Sequence, residues 1–379
     1  KEGGNNSTYL ADMATIQLEF FTLSHYTGKS IFAEKAQSIT DFLDSSGYAH
    51  GTRLPGLYPN EINLHGGYFS DSIVSFGAMG DSAYEYFLKE HILTDGRIPQ
   101  YARMYLQSID SMKQHMLTQL PGTKLLYLPA YDTSRRQQQP HMDHLTCFVP
   151  GMLAIGSKIF NRPDDLKVAK GILETCVYMY RSSSTGLSPE TWIFPNGTPY
   201  NSMTYGMTEE ELTKTPPRRR LGFAGRRKIV YDVQASAAEV PNRTNRTLDP
   251  PIPMPPGVSA RDRRYLLRPE TLESLYILYR VTGDPKYQEY GWEIFKAIEE
   301  RCRTPVAYAA IRNVNLLSRG YRLNQIDKME SFLFAETFKY LYLLFSPPEL
   351  ISLDKFVFTT EAHPLLRRPW TDTFVEYKA

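Results

Sequence analysis

The chain has 379 residues, 42% of them hydrophobic and 13% aromatic, which is the make-up of a packed globular protein and excludes a disordered one. Its 43 basic and 41 acidic residues leave a net charge of +2, too balanced to point to nucleic acid or an anionic membrane as partner. No apolar run approaches the roughly 18–20 residues that a membrane span needs.

The chain opens on Lys1, with no charged-then-apolar leader, and reads as processed or truncated at its start. Asn5, Asn6, Asn196, Asn242 and Asn245 each have Ser or Thr two residues on, and three of these sequons fall in stretches that read as surface loops. This predicts a secretory, oxidising compartment. Cys147, Cys176 and Cys302 permit one disulfide and one spare thiol.

Most of the chain reads helical. From Tyr9 to Ser24 the apolar positions Leu10, Met13, Ile16, Phe20 and Leu23 recur near a 3.6-residue period. A turn at Thr27-Gly28 leads to a second amphipathic run carrying Phe32, Ala36, Ile39 and Leu43. Thr27-Gly28, Phe32 and Glu34 return at a constant offset as Thr282-Gly283, Tyr287 and Glu289. Both copies join one apolar helix to the next, so the chain reads as repeated helical hairpins that must stack to bury their faces. The stretch from about 204 to 264 differs. It holds Pro216-Pro217, Arg218-Arg219-Arg220 and a run from Pro250 to Pro256. That cannot be regular helix and reads as a solvated excursion from a single domain, 1–379.

Gly-rich phosphate loops, His-Glu-x-x-His and Cys-x-x-Cys are all absent from the sequence. What remains is acids set among apolar and aromatic residues: Asp81 to Tyr86, Glu270 with Glu273, and Glu330 with Glu336. Carboxylates are rarely buried unless paired or functional. Pro269 suits the first position of a helix, placing Glu270 in a first turn whose free N–H groups favour an anion. The position suits an ionised general base, but local sequence alone favours an ordinary first-turn acid.

Arg268-Pro269-Glu270-Thr271-Leu272-Glu273-Ser274 resembles the Arg-Pro-Glu-Thr-x-Glu-Ser motif of glycoside hydrolase family 47, the class I α-1,2-mannosidases. Asp327 to Phe332 with Ala335-Glu336-Thr337, Val357 to Pro364, Met142 to Phe148, and Asp81 to Tyr86 resemble four further family elements, in family order. The resemblance implies an all-α toroid, (αα)₇, closed by a C-terminal β-hairpin. It implies hydrolysis of terminal α-1,2-linked mannose from high-mannose N-glycans with inversion, an arrangement that sets two carboxyls roughly 6.5–9.5 Å apart. The alternative is a mannose-glycan-binding lectin or glycoprotein-degradation factor that keeps the pocket without turnover.

Residue by residue, Glu270 matches the family base and Asp81 a carboxylate of acid or base role. Glu273, Glu336 and Glu361 match acids of the mannose pocket or of a metal's waters. Phe332 matches the aromatic on which the sugar packs, and Arg268, Asp143 and His144 match residues near the adjoining sugar. Thr360 matches the family's one direct protein ligand for Ca²⁺, an ion that takes 6–8 oxygens. Cys147 and Cys176 match the family's disulfide. Asp12 stands where the active-site ring usually carries Glu, a shorter reach. Met79 stands where the endoplasmic-reticulum branch carries Arg, which resembles the broader-specificity Golgi or fungal branch. The family's first segment, with a glutamate proposed as acid, has no match after Lys1. This implies an upstream segment, either cleaved and still docked or simply preceding Lys1, without which residues 1–379 would be weakly active or inactive and poorly folded.

Overall fold

Helical hairpins account for most of the fold in this computed structural model, which describes residues 7–49, 54–206, 251–317 and 323–367. Helix α1 (Leu10–Ala14) leads into the hairpin of α2 (Gln17–Thr27) and α3 (Ile31–Ala49). The hairpins α4 (Asp81–Leu93) with α5 (Pro99–His115), α6 (Val149–Ile159) with α7 (Pro163–Arg181), and α8 (Glu270–Thr282) with α9 (Lys286–Arg301) follow. A last helix, α10 (Phe338–Leu344), comes before the C-terminal β-hairpin.

The two Thr-Gly turns close their helices in the same way. Gly28 and Gly283 both adopt left-handed backbone, φ 68° and 69°, and their N–H groups donate to Ser24 and Tyr279 carbonyls. Thr27 and Thr282 each donate their hydroxyl to the carbonyl four residues back at 2.7 Å. Left-handed φ is open to glycine at little cost, so the signal is local and survives any tertiary context. The long helix read from Tyr9 to Ser24 is not formed. Ser7–Tyr9 is a strand paired with Glu61–Asn63, and the helix breaks at Thr15-Ile16. There Thr15 Oγ1 bonds back to the Ala11 carbonyl and the Ile16 N–H donates to the Gln17 side chain, so side chains satisfy backbone groups that a continuous helix would use.

Packing sorts the helices into an inner and an outer layer. Neighbour contacts run α2 to α4 to α6 to α8 to α10, with α3, α5, α7 and α9 outside. Inner helix α4 is buried almost all round, from Ala83 to Glu90 and on to Leu93, whereas outer α5 buries one stripe, Tyr101, Met104, Tyr105, Ser108, Ile109 and Met112. Helices α6 and α8 approach closely: a Cβ on Gly151 would lie 2.9 Å from Ile277 Cδ1 and 3.3 Å from Ser274 Cα. Among the described residues no comparable packing joins α10 back to α2, so four hairpins and one further inner helix form an arc.

Short strands sit at the ends of the helices. β1 (His141–Asp143), β2 (Thr191–Ile193) and β3 (Ser259–Asp262) make one antiparallel sheet, with Thr191 opposite both Asp143 and Asp262. The C-terminal hairpin pairs β4 (Phe356–Phe358) with β5 (Pro364–Leu366), and β4 packs on α4. Cys147 and Cys176 form the expected disulfide, joining the turn before α6 to α7, and Cys302 is free and buried. Of the sequons, Asn196 lies exposed in the loop after β2, while Asn5, Asn6, Asn242 and Asn245 lie outside the described residues. So does the expected excursion at about 204–264, between 207 and 250. Among the described residues no helix is long and apolar enough to cross a membrane.

Candidate active site

The N-termini of inner helices α4 and α8 carry the acids that the sequence singled out. Asp81 is the first residue of α4, and its Oδ1 accepts from the Ser82 N–H at 2.8 Å and hydroxyl at 3.3 Å. Gly80, just before it, is forced: a Cβ there would lie 2.4 Å from the Ser75 carbonyl oxygen and 2.7 Å from Asn60 Oδ1. Glu270 opens α8, with Pro269 one place earlier than expected, at the cap. Leu267, three residues ahead, holds left-handed backbone at φ 64°, and its carbonyl accepts from Thr337 Oγ1 at 2.7 Å. A non-glycine residue in that region is strained and is held by its surroundings.

Arg268 organises one side of the site. Its Nε donates to Glu190 at 2.5 Å, its Nη1 is 3.7 Å from Glu270, and its guanidinium lies 5.9 Å from the Phe332 ring centroid. Glu190 in turn fixes neighbouring backbone, accepting from the Leu266 N–H, while its own carbonyl accepts from the His144 N–H at 2.8 Å. Glu336 lies on a π-helical turn, Leu333–Thr337, between Phe332 and α10; such wide turns often occur at functional sites. Asp143, at the end of β1, accepts from Thr191 Oγ1 at 3.3 Å and lies against Gly77.

Deeper in, Glu85 and Lys89 follow Asp81 at successive turns of α4. Lys89 is ion-paired with Glu85 and lies 3.8 Å from Glu273 of α8, with all three side chains largely buried. Glu273 also accepts from Tyr340 Oη at 3.3 Å. Beneath this group lies a cavity of about 40 Å³, lined by Lys89, Glu273, Tyr340 and Val357 among others.

Burial first, and then the other acids around the same centre, raise the pKa values of these carboxyls. Burial lifts Glu270 to about 7 against the pull of Arg268, with Glu190 and Asp81 adding to the rise. Burial and then Glu85 lift Asp81 to about 6. Burial, then Glu361, Glu270 and Glu273, lift Glu336 to about 9, and burial with Glu85 lifts Glu273. Desolvation thus opposes the ionised form that the helix end and the neighbouring arginine favour, and leaves Glu270 poised near neutrality. Glu270 Oε2 is buried with no hydrogen-bond partner among the described residues.

Thr360 stands in the turn of the C-terminal hairpin, not in a strand. Its Oγ1 lies 2.9 Å from Ser82 Oγ and its N–H donates to Tyr86 Oη at 3.2 Å. Glu361 beside it is exposed and close enough to Glu336 to raise its pKa. Among the described residues no three His, Cys, Asp or Glu side chains converge as metal ligands. A threonine oxygen beside the Ser82 hydroxyl, in a turn whose Glu361 repels Glu336, nonetheless fits a hard divalent cation, which binds oxygen, keeps waters that carboxylates can hold, and relieves that repulsion.

Asp81, Glu270, Glu273, Glu336, Glu361, Arg268, Phe332 and Thr360 thus share one surrounding. Met79 and Asp12 lie at its edge, where the Ala11 N–H donates to the Met79 carbonyl and both side chains are exposed. His144 lies behind these residues, against α8. It is fully buried, with Nε2 3.2 Å from Thr271 Oγ1 and 3.0 Å from Tyr180 Oη, and burial pushes its pKa down to about 3. It supports the start of α8 as a neutral ring. Glu85, Lys89 and Glu190 were not singled out from sequence. Helical spacing from Asp81 could have found the first two, and Pro189-Glu190-Thr191, a second copy of Pro269-Glu270-Thr271, the third.

Stacked helical hairpins whose inner ends present carboxyls, one arginine and one aromatic face to a common centre define an α-hairpin protein with an acid-lined site. The chain belongs to glycosyl hydrolase family 47, whose profile matches residues 1–367. It is 36% identical over 361 residues to the endoplasmic reticulum mannosyl-oligosaccharide 1,2-alpha-mannosidase of Homo sapiens, covering 94% of this chain and 43% of that protein. It is 31% identical over 364 residues to mannosyl-oligosaccharide 1,2-alpha-mannosidase IA of Sus scrofa, covering 95% and 45%. Its structure matches an alpha-1,2-mannosidase from Trichoderma reesei with TM-score 0.76 and 27% identity, over 97% of this chain and 68% of that one. The chain spans about half the length of the curated relatives it matches.

Proposed function

We propose that this protein removes terminal α-1,2-linked mannose from high-mannose N-glycans, with inversion, in the secretory pathway. The observation that carries the reading is the pairing of Asp81 and Glu270 about Arg268, beside the Phe332 ring and the Thr360 turn. Glu270 takes the proton of the attacking water, and a pKa near 7 suits a base at neutral pH. Asp81 is the second carboxyl. The two titrate about one unit apart, so the division of acid and base between them rests on the family motif and not on charge.

Phe332 supplies an apolar face for a sugar ring, and Arg268 and Asp143 supply polar groups at the neighbouring subsite. The hydroxyl and carbonyl of Thr360 would hold Ca²⁺, with Glu85, Glu273, Glu336 and Glu361 holding its waters. When bound, the ion supplies positive charge that keeps these acids ionised and orders oxygen ligands of substrate and water. Met79 at the rim supports broader cleavage of the Golgi or fungal kind; the relatives include both endoplasmic reticulum and IA enzymes. The (αα)₇ toroid, a single domain 1–379 with its excursion at about 204–264, and a docked N-terminal segment that closes the arc belong to the same reading. The buried disulfide and the exposed Asn196 sequon support the compartment. A lectin without turnover would leave the Asp81 and Glu270 pair unexplained.

Glu270→Gln should cut turnover by roughly 10²–10⁴-fold while sparing glycan binding, because the amide keeps the shape and cannot take a proton. Asp81→Asn, if Asp81 is the acid, should recover activity on α-mannosyl fluoride, whose leaving group needs little protonation. A loss of only a few-fold in Glu270→Gln would move the base elsewhere.

A further inference from the structure

The five residues Thr359 to His363 form a tightly closed turn. The Thr359 N–H donates to the His363 carbonyl at 2.9 Å, the Ala362 N–H to the Thr359 carbonyl at 3.0 Å, and the His363 N–H to Thr359 Oγ1 at 3.2 Å. Ala362 takes left-handed backbone at φ 57° and is fully buried. A turn in that conformation is held by its surroundings.

Three inner helices supply the hold. From α4, Tyr86 Oη accepts from the Thr360 N–H at 3.2 Å. The same hydroxyl donates to Glu19 of α2 at 2.9 Å, so Glu19 directs the phenol proton away from the turn and leaves a lone pair for Thr360. From α10, Lys339 Nζ donates to the Ala362 carbonyl at 2.9 Å. Tyr86 is 1% exposed, so water does not compete for its hydroxyl.

We propose that Tyr86, directed by Glu19, and Lys339 are positioning residues for the Thr360 turn, and that they set its affinity for a divalent cation. This rests on the reading of Thr360 as the calcium ligand. A metal site depends on how firmly its ligands are oriented, and groups that orient a ligand typically change metal affinity by roughly 10–100-fold when removed. Tyr86→Phe deletes one hydroxyl and keeps the ring. Lys339→Met keeps the length of the stem. Glu19→Gln keeps an acceptor for the phenol, and Glu19→Leu does not.

The test is calcium titration of the intact protein by calorimetry after chelation, with the melting temperature of the cation-free form recorded alongside. Tyr86→Phe, Lys339→Met and Glu19→Leu should each weaken calcium binding by roughly tenfold, with Glu19→Gln within about threefold of wild type. Saturating calcium should restore kcat in the three weakened variants. A merely structural role would lower the cation-free melting temperature and leave affinity unchanged, and that result overturns the proposal. If Tyr86→Phe does not fold, Glu19→Leu and Lys339→Met decide the matter by the same criterion. Wild-type protein that takes up no calcium overturns the metal reading and this inference together; wild-type binding with unaltered variants overturns this inference alone.

Discussion

Chelating calcium should make the protein lose stability as pH rises, the reverse of ordinary acid denaturation. Asp81, Glu270, Glu273 and Glu336 all have folded pKa values above their usual range. A carboxyl raised in this way binds its proton more tightly folded than unfolded. The stability linked to it is fully present below the unfolded pKa and is lost as pH rises through the folded one. For Glu270, raised from 4.5 to about 7, the difference corresponds to roughly 3.4 kcal/mol. About 2.5 kcal/mol of this disappears between about pH 5 and about pH 8. Its side chain is only 12% exposed, so solvent screening takes little away. Glu336 extends the window towards 9, although charges that share one site do not add independently. The assay is urea unfolding of chelated and calcium-loaded protein at the two pH values. The chelated form should be the less stable near pH 8, and calcium should stabilise more there than near pH 5, where protons compete with it. Chelated protein that is equally stable at both, or a calcium effect that shrinks with rising pH, would refute the argument that these acids face one another across a cation site.

Replacing Cys147 and Cys176 together with Ala opens a closure of sequence separation 29, for which the chain-entropy relation gives about 3.6 kcal/mol; alkylation of both thiols in native, non-reduced protein would contradict the bond. His144→Ala should lower kcat with little change in KM and destabilise by about 2–4 kcal/mol, since Thr271 and Tyr180 lose a buried partner; a raised KM in a protein of unchanged stability would return His144 to the sugar. Met79→Arg places a guanidinium at a rim position that is 46% exposed and should narrow cleavage towards a single mannose, which an unchanged ladder of trimmed glycans would contradict.

What could be read along the chain was whatever local chemistry decides. The turns at Thr27-Gly28 and Thr282-Gly283 rest on a threonine hydroxyl four residues from its acceptor and a glycine free to take positive φ. Those are properties of a few adjacent residues, so the hairpins were legible before any packing was known. The start of α8 at Glu270 was legible for the same reason, to within one residue. The break at Thr15-Ile16 was not, because apolar periodicity runs through it while side-chain bonds to the backbone end the helix. The site was legible as a set of acids and opaque as an arrangement. Only the folded chain brings Glu190 against Arg268 across 78 residues, and Lys89 between Glu85 and Glu273. Only the folded chain hides His144 behind α8. Periodicity states which face of a helix is turned inward and says nothing of what that face meets. The titration of Glu270 shows the consequence. Its helix position favours the charged form, but desolvation depends on every segment packed around it, and desolvation is the larger effect.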